Sequence, residues 1–162
     1  MENHERRGDV VEKFCQEFGA TNLQEAISRD PLTALQFLVR GEEFHQDVPD
    51  FKELREKAEA HVLRALETNF KIANAVLNLN HEETKFFHFI EEALFLAEET
   101  FELVTRLLVM ASHSPKDFIS YITKDQRLAR IFLENEDAVL FKERNGWYHQ
   151  KAREAATASL PN

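Results

Sequence analysis

The chain has 162 residues, 43% hydrophobic and 30% charged, with a formal net charge of −9. That length fits one domain with a real core, and the composition excludes a disordered chain. Four glycines and four prolines are too few for the turns of a many-stranded sheet, so the expected class is all-α.

Asp9 is placed to cap a first helix whose apolar residues Val10, Val11, Phe14, Cys15 and Phe18 recur at helical spacing, with Gly19 as its stop. Residues before about 8 and after about 156 are expected to fray. Thr21 and Gln24 form a capping-box pattern before Leu23, Ala26 and Ile27. Asp30-Pro31 is a strong start signal for a helix carrying Leu32, Leu35, Leu38 and Val39, which Gly41 can end. Residues 42–50 read as a connector. Asp50 then caps a long helix over 51–79, with the stripe Leu54, Ala58, Val62, Leu66, Phe70, Ala73 and Leu77.

The sequence NLNH at 78–81 breaks that helix, and a second long helix over 81–113 follows, antiparallel to the first because the connection is short. It shows two apolar faces that merge into a wide band. One is Phe86, Ile90, Ala93 with Leu94, Ala97, Phe101, Val104, Leu108 and Ala111; the other is Phe89, Leu96, Leu103, Leu107 and Met110. The remaining strip holds His88, Glu91, Glu92, Glu98, Glu99, Glu102 and Arg106, with Glu102–Arg106 and His88–Glu92 as i,i+4 pairs. Ser114-Pro115 opens a short helix with Phe118, Ile119 and Ile122. Asp125 opens another, through Leu128, Ile131, Phe132 and Leu133 to Val139 and Leu140, bent by ENED at 134–137. Asn145-Gly146 is a stop before a last helix from Trp147. The whole reads as a bundle of about six to eight helices around an antiparallel long pair. ISRDPLTALQFL at 27–38 echoes ITKDQRLARIFL at 122–133, an echo that shared capping demands explain without a repeat.

The charge limits the partners. Nucleic-acid binding needs Lys and Arg to displace counterions from phosphates. The nearest basic pairs, Arg127 with Arg130 and Lys142 with Arg144, sit among acids. No nucleic acid is expected, and a basic protein suits the field better. The single cysteine, Cys15, rules out an internal disulfide framework and reads as a buried thiol. MENHERRGDVVEK holds no apolar signal segment, and six charges interrupt the apolar run from Phe86 to Ala111. A cytoplasmic chain with no membrane partner is the expectation.

The chemistry-bearing patterns are sparse. Glu99-x-x-Glu102 and Glu134-x-x-Asp137 resemble the acidic motifs of MazG-type all-α nucleotide pyrophosphatases. That resemblance covers those four residues and implies Mg2+ or Mn2+ held by Glu99, Glu102, Glu134 and Asp137. RNGWYH, with Arg144 and His149, resembles the Arg-to-His motif of HEPN-type ribonucleases and implies those two as catalytic. Looser matches are Arg106–His113, Arg40–His45 and Arg55–His61. Glu42-x-x-His45 is the one Glu-x-x-His motif, where a di-iron bundle needs two. His61, among Ala58, Val62 and Ala65, reads as a satisfied core histidine.

Phe95 falls on the glutamate strip, where a large ring is awkward unless another chain covers it. Two helices of roughly 45 Å would also protrude from so small a domain and pair with a second copy. The preferred reading is a non-enzymatic interaction module, an adaptor, regulator, antitoxin or immunity-type protein, homodimeric and open to a basic partner. Its surface is Phe95 with Glu91, Glu98 and Glu102, with no cofactor. The enzyme readings on the carboxylates or on Arg144 and His149 are the alternatives.

Overall fold

The computed structural model describes residues 2–136 and 146–161. Among these, every regular element is a helix: α1 Glu2–Glu17, α2 Leu23–Arg29, α3 Pro31–Val39, α4 Gly41–Phe44, α5 Phe51–Leu66, α6 Phe70–Leu77, α7 Ile90–His113, α8 Pro115–Ile122, α9 Gln126–Glu134 and α10 Gly146–Ser159, with a 3-10 turn at Glu82–Thr84. The all-α class holds, with ten α-helices among the described residues where about six to eight were expected. The chain groups into two compact units, Met1–Ala65 with Ala75–Leu94, and Leu66–Asn74 with Phe95–Asn162.

Short-range capping accounts for most boundaries. Gly19 takes φ +65, and the Ala20 and Gly19 amides donate to the Cys15 and Gln16 carbonyls at 2.8 and 3.2 Å, a Schellman stop that needs the left-handed residue. The Asp30 and Asp125 carboxylates accept from the Leu32 and Arg127 amides at 2.9 and 2.8 Å, as their helix-start signals require. Other expected caps move. Asp9 lies inside α1, which already starts at Glu2. Asn22, not Thr21, caps α2, accepting from the Glu25 amide at 2.8 Å while the Glu25 carboxylate reaches back to the Thr21 amide. Ser114 gives its hydroxyl to Asp117 rather than capping α8. Gly41 starts α4, which runs into the expected connector at 42–50, and Arg40, not Gly41, ends α3.

In unit 1, phenylalanines form the core. Phe14 meets Phe37 and Phe44 edge-on, Phe37 stacks on Phe44 at 5.2 Å, and Phe51 packs against Phe37 and Phe86. Arg40 lies over the Phe14 ring and donates twice to Glu17, at 2.8 and 3.1 Å. His61, expected in the core, is half-buried, and its ring nitrogen meets the Ile27 carbonyl at 2.8 Å.

Neither long helix has its expected length. The 51–79 rod is broken at 67–69 into α5 and α6. The 81–113 rod starts only at Ile90, because 81–89 form a 3-10 turn and an irregular turn. Asn80 and Glu83 cap that turn reciprocally, each side chain accepting from the other's amide at 2.9 and 3.0 Å. Buried Glu59 of α5 then accepts from the His88 and Phe89 amides at 2.8 and 3.0 Å. The Phe89 amide is one that a helix start leaves orphaned, and His88 is the residue just ahead of it. His88 is therefore outside α7 and not an i,i+4 partner of Glu92. Its ring lies 3.6 Å from Glu59 Oε1 and 3.3 Å from an Arg55 guanidinium nitrogen.

Unit 2 buries Leu107, Phe118, Ile122, Ile131, Phe132, Ala152 and Ala156 together, with Phe70 packed against them.

Two substitutions test this account. A Cβ at Gly41 would lie 2.5 Å from the Phe86 ring, so Gly41→Ala destabilises by about 1–3 kcal/mol, read from urea unfolding. Glu59→Ala orphans the His88 and Phe89 amides and costs about 2–3 kcal/mol; in hydrogen exchange, its loss of protection centres on the first turn of α7.

Candidate functional site

The buried line of α7 is Ala93, Ala97, Thr100, Val104, Leu107 and Ala111. Its steps of four and three residues keep one helical face inward. Four of those six side chains are alanine or threonine, so the covered face is narrow. Phe101 and Leu108, expected in the buried band, lie one residue off that line and are 36% and 41% exposed. Phe89, ahead of the helix, is also exposed.

The opposite face carries Phe95 and three of the expected glutamates, while His88 lies outside the helix and Glu99 is half-buried. Phe95 is 65% exposed, and Glu91, Glu98 and Glu102 are exposed with it. Positions 91, 95, 98, 102 and 109 follow helical spacing, so Val109, 52% exposed, continues the same face. Arg106 bonds Glu102 at 3.1 Å and is held in its charged form first by Tyr121 and then by Glu102.

The residues named for a metal site are drawn elsewhere. Glu102 faces Arg106, Glu99 is ion-paired with Arg127, and Glu134 accepts from the Thr68 hydroxyl at 2.7 Å. Asp137 lies outside the described residues. Among the described residues no three His, Cys, Asp or Glu side chains are grouped to hold a metal ion.

Glu99 and Glu134 instead belong to the corner where α5 breaks from α6, which the sequence reading missed. Thr100 donates to the Leu66 carbonyl and Arg127 to the Glu67 carbonyl. Asn135, 6% exposed, donates to the Thr68 carbonyl at 2.6 Å and accepts from the Phe70 amide at 2.8 Å. Asn69 caps α6 through the Ile72 amide. The readable signals were Asn69 itself, a strong N-cap residue, and an asparagine closing α9.

The Arg-to-His matches fare likewise. Arg144 and the His149 side chain lie outside the described residues. Arg40 is tied to Glu17, Arg55 faces Glu59 and His88, and Arg106 faces Glu102. His45 packs against Phe51 and Phe86, and His61 meets the Ile27 carbonyl. Glu42 shares only a backbone contact with His45, whose ring nitrogen meets the Glu42 carbonyl. Cys15 is buried, and burial first, then Glu25, pushes its thiol pKa up, the opposite of an activated nucleophile.

No helix among the described residues is long and apolar enough to cross a membrane. Comparison with protein-family models, with curated proteins and with solved structures finds no match to the chain.

Asn135→Ala tests the corner. It orphans the Thr68 carbonyl and the Phe70 amide, and unfolding free energy falls by about 2–4 kcal/mol, measured in urea; Asn135→Asp, which keeps the acceptor but sets a buried carboxylate against the Thr68 and Ile131 carbonyls, loses at least as much.

Proposed function

We propose that the protein is a non-enzymatic cytoplasmic interaction module, an adaptor, regulator, antitoxin or immunity-type protein, that docks a basic partner protein on the outer face of α7. The observation that carries this reading is Phe95. A phenylalanine ring 65% exposed on a face with Glu91, Glu98 and Glu102 offers an apolar anchor inside an acidic rim. Aromatic anchors supply most of the energy in such interfaces, and surrounding charge sets encounter rate and partner choice. Val109 lengthens the apolar part of that face.

A second copy of this chain is the competing occupant, because the same exposed side chains can serve self-association. Its original ground, two protruding rods of roughly 45 Å, is gone with the breaks at 67–69 and before Ile90. Pairing this face with itself would also set Glu91, Glu98 and Glu102 against their own copies, with Arg106 as the counter-charge on the face. Charge therefore favours the basic partner.

The test uses fluorescent amphipathic helical peptides, one of leucine and lysine, one of leucine and glutamate. The lysine peptide binds, its affinity falls as salt rises, and Phe95→Ala weakens it by about tenfold or more. Phe95 is exposed, so that variant keeps its fold. Equal binding of both peptides, or no effect of Phe95→Ala, rejects this surface. Sedimentation of the free protein separates the occupants: a dimer dissolved by Phe95→Asp would put a second copy in place of the basic partner.

A further inference from the structure

Phe95 is one end of a longer feature of α7, all of it within unit 2. Two rows of exposed side chains run along the helix, Phe95, Glu102 and Val109 in one, Phe101 and Leu108 in the other. Members of a row are seven residues apart, so both rows run nearly parallel to the helix axis. Between them lie Glu98 and Thr105, also exposed and also seven apart. Thr105 is short, and its hydroxyl already donates to the Phe101 carbonyl at 2.9 Å. It floors a depression walled by Phe101, Leu108 and Val109, its neighbours at three- and four-residue spacing.

Shape and charge select the occupant. Phe95 and Val109 lie about 21 Å apart along the axis, too far for one loop tip to cover both. An extended strand repeats its side chains on one face about every 6.7 Å, against about 5.4 Å for the turns of α7, so it slips out of step. A strand also seeks a sheet edge for its own amides, and every regular element among the described residues is a helix. A second helix brings its backbone hydrogen bonds with it and sets its ridges into the depression at the matching period. Glu98, in line with that depression, selects lysine or arginine on the incoming helix.

We propose that the partner docks as a basic α-helix laid lengthwise on α7, with an apolar side chain seated over Thr105 and basic side chains facing Glu98 and Glu102. This rests on the reading of α7 as a docking surface and adds the partner's secondary structure and register.

The experiment sets the full chain against two leucine–lysine peptides of equal charge, one an amphipathic helix, the other carrying two interior prolines that break it. The helical peptide binds about tenfold tighter or more, and it shifts the methyl signals of Thr105, Leu108 and Val109 in NMR spectra. Thr105→Gln, at an exposed position, fills the depression and weakens the helical peptide by about tenfold. Thr105→Ala keeps the depression and the affinity. Equal binding of the two peptides, both weakened by Phe95→Ala, overturns the helical partner and leaves the docking surface standing. Binding of neither removes the surface and this inference together. Binding without shifts at those methyls, or unchanged by Thr105→Gln, overturns the register. A free protein that sediments as a dimer, and is dissolved by Thr105→Gln, puts a second copy in the depression instead.

Discussion

A helix that breaks in mid-course frees backbone groups, and burial makes each one costly unless a partner reaches it. The break between α5 and α6 is the constraint on which unit 2 depends. Asn135 presents its amide to the chain there as another backbone would, donating to Thr68 and accepting from Phe70. Thr100 and Arg127 take the carbonyls of Leu66 and Glu67. Satisfied in this way, the chain can turn and deliver Phe70 onto Phe101, 5.3 Å between ring centroids, and into the core with Phe132. The turn is also where the chain leaves unit 1, since Leu66–Asn74 belongs to unit 2.

The same physics sets the start of α7. A carboxylate from α5, buried to 3% exposure, accepts the amides of His88 and Phe89, and the helix begins after them. In both places the apolar period runs through the boundary without interruption. Leu66, Phe70 and Ala73 keep helical spacing across the α5–α6 break, and Phe86 and Ile90 keep it across the start of α7. Periodicity reports which side faces inward and says little about where backbone hydrogen bonds stop. Boundaries set by neighbours in sequence, such as Gly19, Asp30 and Asp125, were legible. Those set by Glu59 and Asn135 were not, because the deciding partner lies far along the chain. The exposure of Phe95 and its glutamates was legible for the first reason: they are ordered by helical period alone. A groove lined by Val11, Leu23 and Leu54 was not, because its walls come from three separate segments.

The echo between 27–38 and 122–133 shows what a local signal can carry. Capping demands alone would reproduce the aspartate, and Asp30 and Asp125 share nearly identical backbone angles, φ −142 ψ 127 and φ −141 ψ 128. Capping does not ask for a buried isoleucine before the corner or a buried alanine and phenylalanine after it. Yet Ile27 and Ile122, Ala34 and Ala129, and Phe37 and Phe132 are all buried to 1% exposure or less. Each unit thus carries a helix–corner–helix with the same cap geometry and matching buried positions.

The acidic row on α7 divides once its partners are known. Glu99 is spent on Arg127, which in turn holds the Glu67 carbonyl at the corner, so its charge is part of the fold. Glu102 shares its charge with Arg106. A surface ion pair of that kind is worth little for stability and still reduces the field a partner meets. Glu91 and Glu98, one turn either side of Phe95, are what remains for long-range attraction, and at physiological salt that attraction fades within about 8 Å. Two screened carboxylates can orient an approaching basic surface, whereas the energy of holding it has to come from area removed from water. On this face that means the Phe95 ring first and Val109 after it, and the specificity of the proposed docking surface would rest on how well a partner encloses one aromatic side chain.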